Sequence, residues 1–279
     1  MTAIAQSTTG RGVAELGAWR TRFELKQYFR SVDTVVFTFL FPIAMLALFS
    51  VAFGADGDMQ VVPGLPPVPA GQIYLPAMLA AGMLLSGFQN LAIDIAIERS
   101  QGMLARLGST PLSPVSYFLG KIAQVAITAV LQATLLIGFA ALVLRVPMPT
   151  EPERWLTFGW VFLLGITTSA LLGVAVSSVP RSARSATAVI IPIVLVVQFI
   201  SGVYLFFFML PEWLQNVAGL LPVKWMAQGM RSVFLPDAYS ALEQGGEWNL
   251  AGVAIALGIW LVVGLVLARV SFRWIRRDA

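Results

Sequence analysis

Six apolar runs of about twenty residues or more dominate this chain, at roughly 33-54, 72-95, 115-144, 156-179, 188-210 and 249-269. A helix of about twenty residues rises about 30 Å and crosses the hydrocarbon core of a bilayer. Only 11% of the residues are charged and 58% are hydrophobic, whereas a soluble domain is about 25% charged. Lipid must therefore be the solvent. Pro42, Pro76 and Pro192 lie within or near the runs, where neighbouring helices satisfy the carbonyls that a proline frees. The first thirty residues are polar and lack an apolar h-region. No cleaved signal peptide is expected, and the first run is expected to stay as an anchor.

The basic residues give an orientation. Fourteen of the eighteen precede run one, follow runs two and four, or end the chain; Arg145, Arg154, Lys224 and Arg231 are the other four. The positive-inside rule then places both termini in the cytosol, as an even number of spans requires. Arginine outnumbers lysine fifteen to three, which hints at a bacterium of high GC content. The chain has neither cysteine nor histidine, so disulfides, thiolate metal sites and imidazole chemistry are excluded. The basic residues flank apolar runs as topology signals do, so nucleic acid is not the expected partner.

Between runs two and three lies a charged connector, Glu98-Arg99-Ser100-Gln101-Gly102-Met103-Leu104-Ala105-Arg106-Leu107-Gly108-Ser109-Thr110-Pro111-Leu112-Ser113-Pro114. A plain linker needs neither Leu104 and Leu107 nor two prolines after a two-turn amphipathic stretch. After run five come Leu210-Pro211-Glu212-Trp213-Leu214, then Leu221-Pro222-Val223-Lys224-Trp225, then Arg231. Those pieces are too short to span, and their tryptophans suit the headgroup level. Ala14 to Ser31 is helical in pattern, with Leu16, Trp19 and Phe23 beside basic residues, as in a helix lying along a membrane surface. Residues 54-71 carry four prolines and are expected to form an irregular loop.

The order E-R-x-x-G-x-x-x-x-L-x-x-T-P-L-S, with Tyr117 and Gly120-Lys121 after it, resembles the cytosolic loop of ABC-2 type transporter permeases, including the daunorubicin-resistance type. The segment after run five is similar to that family's "LP-x-W-L … P … R" stretch. The resemblance implies an all-α integral membrane fold with six transmembrane helices, an N-terminal interfacial helix, a cytosolic coupling helix and short external re-entrant helices before the last span. It divides the chain into a tail and interfacial helix at 1-32 and a transmembrane domain at 33-279, with a coupling loop at 96-114 and external helices at 211-235. It implies ATPase coupling through Glu98, Arg99, Gly102, Leu104, Arg106, Leu107 and Pro111. It also implies two ATPase subunits and a second permease chain, identical or different, in a complex that exports an amphiphilic drug or lipid-like molecule.

Polar residues inside the runs are the candidates for a substrate path or dimer interface: Ser86, Asn90, Gln198, Ser201 and Tyr204. Ser86, Asn90, Asp94 and Glu98 recur every four residues, on one helical face, with Arg99 as the expected neutralising partner of the two acids. Trp213, Trp225 and Arg231 are candidates for an external gate.

A phosphate loop needs G-x-x-x-x-G-K-[ST]. At Gly120-Lys121, Val115 stands where the first glycine belongs and Ile122 follows the lysine. Leu85-Ser86-Gly87-Phe88-Gln89 mimics an ATPase signature but lies within an apolar run. The chain is thus expected to bind no cofactor or metal and to catalyse nothing itself, with ATP and Mg entering through a partner ATPase. The alternative is an ATP-independent secondary transporter or a channel-like membrane protein. A lipid-modifying enzyme is disfavoured, because catalytic motifs are missing.

Overall fold

The computed structural model describes residues 13–55, 57–110 and 113–271. Helix α1 is Val13–Arg30. Six long apolar helices follow: α2 Val32–Gly54, α3 Ala70–Ser100, α5 Pro114–Leu142, α6 Pro152–Val176, α7 Ala183–Ile200 and α10 Leu250–Ser271. The short helix α4, Met103–Gly108, joins α3 to α5. Two more, α8 Glu212–Gly219 and α9 Pro222–Phe234, precede α10. Extended pairing among the described residues is confined to an isolated bridge between Met59 and Val68 in the 55–69 loop.

Helix starts follow local chemistry. Ser113 precedes α5, its Oγ accepting from the Ser116 amide at 3.1 Å, and Pro114 occupies the first helical position. At α7, Ser182 and Ser185 cap each other reciprocally. The fifth run, read from sequence as 188-210, is helical only to Ile200. Gly202 then adopts φ +76°, a left-handed conformation that ends a helix cheaply only at glycine. The apolar residues that follow fold into a turn, and the Tyr204 hydroxyl donates back to Gln198 Oε1 at 2.6 Å.

Helix α3 is the centre of the bundle. Every residue of its first half, Ala70 to Met83, is buried, among α2, α5, α6 and α9. Helices α2, α7 and α10 are peripheral and expose broad apolar faces, as lipid-facing helices do. Close approach of α3 to α6 depends on glycines. A Cβ at Gly87 would stand 2.6 Å from Ser169 Cβ, and one at Gly173 would stand 2.7 Å from the Gly87 carbonyl. Small residues at a crossing let backbones approach where lipid supplies no hydrophobic driving force.

Two helices depart from α geometry. Val36–Leu40 in α2 and Leu84–Asn90 in α3 are π-helical, a form that usually marks functional regions. The two stretches touch, because Asn90 Nδ2 donates to Thr38 Oγ1 at 2.8 Å. The π turns also break the expected four-residue face. Ser86 donates to Gln132 of α5 at 3.0 Å, Asn90 faces α2, and Asp94 and Glu98 return to α5.

Candidate functional site

A buried charge cluster stands where α3 runs into the α4 connector. Glu98 is the last buried residue of α3, at 1% exposure. Its Oε2 accepts from the Tyr117 hydroxyl at 2.7 Å and its Oε1 from Lys121 Nζ at 2.9 Å. Lys121 is wholly buried and also reaches Glu24 of α1 at 2.8 Å, together with Asp94 of α3. Arg20 of α1 pairs with Glu24 one turn on, bonds Glu98 Oε1 at 3.3 Å, and lies over the Tyr117 ring at 5.2 Å. Five charges from three helices thus share one site, three negative and two positive.

Local sequence explains the meeting. Glu24 lies one turn after Arg20, and Glu98 one turn after Asp94, so each helix presents two charges on one face. Gly120 allows the crossing, since a Cβ there would fall 2.4 Å from Arg20 Cγ. The Gly-Lys pair thus has a packing role: the glycine admits Arg20 and the lysine neutralises the acids. Burial pushes the Glu24 carboxyl above the usual carboxylate range, opposed by Lys121 and Arg20. Glu24, Asp94 and Glu98 each offer an oxygen within 4.8 Å of one another. Lys121 bonds all three carboxylates and so fills the position that a metal ion would take.

The connector hangs from this cluster. Gly102 precedes α4 at φ +69°, turning the chain out of α3. Leu104 is buried at 1% and anchors the short helix, Leu107 is half-buried against the core, and Arg106 is exposed. Arg99 donates to the Ser177 carbonyl at 2.5 Å, tying the connector to the end of α6. The counter-charges for Asp94 and Glu98 are Lys121 and Arg20, a different arrangement from the Arg99 pairing expected from sequence. Pro111 lies outside the described residues.

At the opposite end, Arg231 of α9 makes a two-pronged ion pair with Glu243, at 2.5 and 3.1 Å, and reaches the Gly202 carbonyl at 3.4 Å. That joins the end of α7 to the segment before α10. Trp213 is exposed, whereas Trp225 is half-buried and donates to the Gly219 carbonyl at 2.8 Å. Lys224, buried at 1%, places its ammonium 3.9 Å from the centroid of the Trp225 ring. Burial, helped by Arg231, lowers its pKa to about 8 against the opposing pull of Glu243. Arg154 pairs with Asp237 at 3.0 Å and donates to the Leu235 carbonyl at 2.8 Å, satisfying the end of α9.

The profile of the ABC-2 family transporter proteins matches residues 66–270, from the end of the first loop to the end of α10. The chain belongs to this family. Among curated relatives, the probable multidrug ABC transporter permease YbhR of Escherichia coli K12 is 23% identical over 185 residues, 66% of this chain and 49% of YbhR. The putative transport permease YvfS of Bacillus subtilis is 23% identical over 200 residues, 71% of this chain and 77% of its own length. The probable doxorubicin resistance ABC transporter permease protein DrrC of Mycobacterium tuberculosis H37Rv is 21% identical over 248 residues, covering 86% and 84%. The chain therefore spans about half of YbhR and most of the other two.

In this ABC-2 permease the polar residues singled out inside the runs lie apart. Ser86 and Asn90 bond Gln132 and Thr38 on neighbouring helices. Gln198 and Tyr204 bond each other, and Ser201 is buried beside them. Sequence reasoning missed Glu24 and Glu243. Glu24 stands among basic residues on an amphipathic helix, and an acid on the face of Arg20 was its one local signal.

Proposed function

We propose that this permease is the membrane half of an ATP-driven exporter, with both termini cytosolic and α4 as the helix that docks on an ABC ATPase. The observation that carries this reading is the build of the connector. Helix α4 has a buried anchor, Leu104, and an exposed charge, Arg106. It is rooted through Glu98 in a rigid cluster that also grips α1 and α5. A force on α4 then moves three helices together rather than bending a loop. The basic residues gathered at that end support a cytosolic position, and α1, with exposed Trp19 and Phe23, suits the inner membrane surface. ATP and Mg would enter through the ATPase, because the chain has no phosphate loop.

The working unit is two permease chains and two ATPase subunits, with the path between the permeases. The cargo is an amphiphilic small molecule, consistent with the drug-resistance names of the relatives. Arg106→Glu reverses an exposed charge without touching the core, and Leu107→Asp places a charge on the half-buried side of α4. Purified from native membranes after mild crosslinking, the tagged wild-type chain should carry an ABC ATPase, and both variants should carry less. Equal recovery with variants that fold and insert normally would return the ATP-independent reading.

A further inference from the structure

An apolar groove of about 630 Å3 opens between α5, α6 and α10. It is separate from the charge cluster and from the Arg231–Glu243 end. On α5 its wall runs from Val115 to Ala126, and on α6 from Leu163 to Val174. Each is eleven residue steps, or about 16 Å of helix. One leaflet of hydrocarbon is about 15 Å deep, so the groove is one leaflet deep. Its shallow end lies at the start of α5 and the ends of α6 and α10, the same end as α4. There α10 contributes Leu265 and, at its last turn, Arg269.

Arg269 supplies the charge that names the occupant. It is exposed and has no acidic partner among the described residues, and the sequence beyond it adds Arg273, Arg276 and Arg277. A basic residue at the mouth of a groove between membrane helices, at headgroup level, fits an anionic headgroup. Helix α1 closes the same end, because a Cβ at Gly17 would stand 3.3 Å from Leu119 Cβ, and Leu119 lines the groove.

We infer that the groove between α5, α6 and α10 holds one acyl chain of an anionic glycerophospholipid whose phosphate is bound by Arg269. The volume is within the range that suits small-molecule ligands. The lining is apolar at depth and cationic only at the mouth, which excludes a polar solute and matches a lipid's own division. The site is a fixed lipid position against the helices that carry α1 and the connector, and it stands whether or not an ATPase drives transport.

The test uses the purified full chain in mild detergent, with dioleoyl phosphatidylglycerol and dioleoyl phosphatidylcholine as probes and native mass spectrometry as the count of retained lipid. Wild type should retain the phosphatidylglycerol preferentially. Arg269→Ala should weaken its retention about fivefold, the equivalent of about 1 kcal/mol for one basic residue, and Arg269→Lys should restore most of it. Ala126→Leu, which fills the deep end, should lower retention of phosphatidylglycerol without changing the melting temperature by more than a few degrees. Equal retention of the two lipids by wild type would overturn the proposal, since only annular contact would remain. Unchanged retention in Arg269→Ala, or in Ala126→Leu, would overturn it equally.

Discussion

Replacing Lys121 with methionine tests whether the charge cluster holds α1 against the bundle. The substitution keeps most of the volume and removes the one cation that bonds Glu24, Asp94 and Glu98 together. Only Arg20 would then face three carboxylates. Asp94 is 37% exposed, so water screens its share and it adds little. Glu24 and Glu98 are each 2% exposed, and a buried charge left without its partner costs about 3–5 kcal/mol. That is an increase of two to almost four decades in the opening equilibrium of the docked helix. Hydrogen–deuterium exchange reads it directly: amides of α1 around Arg20 to Tyr28 should lose protection, while those of α6 should not. The triple variant Lys121→Met, Glu24→Gln, Glu98→Gln removes both uncompensated charges and should recover most of the protection. Full protection of α1 in Lys121→Met alone would refute the argument. Failure of the triple variant to recover would show that packing by the lysine stem, not charge, holds the helix.

Two further outcomes are expected. Lys224 has its pKa lowered from 10.5 to about 8, so between those values the folded chain holds fewer protons than the unfolded one, and stability should rise with pH across that window and be flat on either side. The rise is of order 3 kcal/mol, and melting of wild type minus Lys224→Met, compared from pH 7 to 11, should isolate it; identical slopes would refute it. For topology, an impermeant thiol reagent applied outside intact cells should label Asp58→Cys and leave Arg106→Cys untouched, because both positions are exposed at opposite ends of the bundle; the reverse pattern would invert the proposed orientation.

The six spans were legible because an apolar run of bilayer length has one economical solution in lipid. The anchor Leu104 and the turn at Gly102 were legible for local reasons, a short helix with one apolar side and a glycine before it. The cluster was not. Glu24 and Lys121 carry no shared periodicity, and their contact exists only after α1 has docked along α5. The end of the fifth run was misread because Val203 to Met209 are as apolar as a span. Composition does not separate residues buried beneath loops from residues facing lipid, and Gly202 was the one local signal. Glu243 looked like a loop carboxylate and is instead the buried partner of Arg231.

The π turns of α3 set the phase of the helix below them. Leu84–Asn90 lies between the buried half of α3 and the turn that carries Asp94 and Glu98. Removing one residue there would let the ladder close into ordinary α geometry, and everything below would rotate by about 100° and rise by about 1.5 Å. Glu98 would then swing away from Lys121 and Tyr117, and Asn90 would lose Thr38. The number of residues between the core of α3 and its charged end is therefore fixed by angle rather than by length, and a single-residue deletion in this stretch is harsher than most substitutions within it.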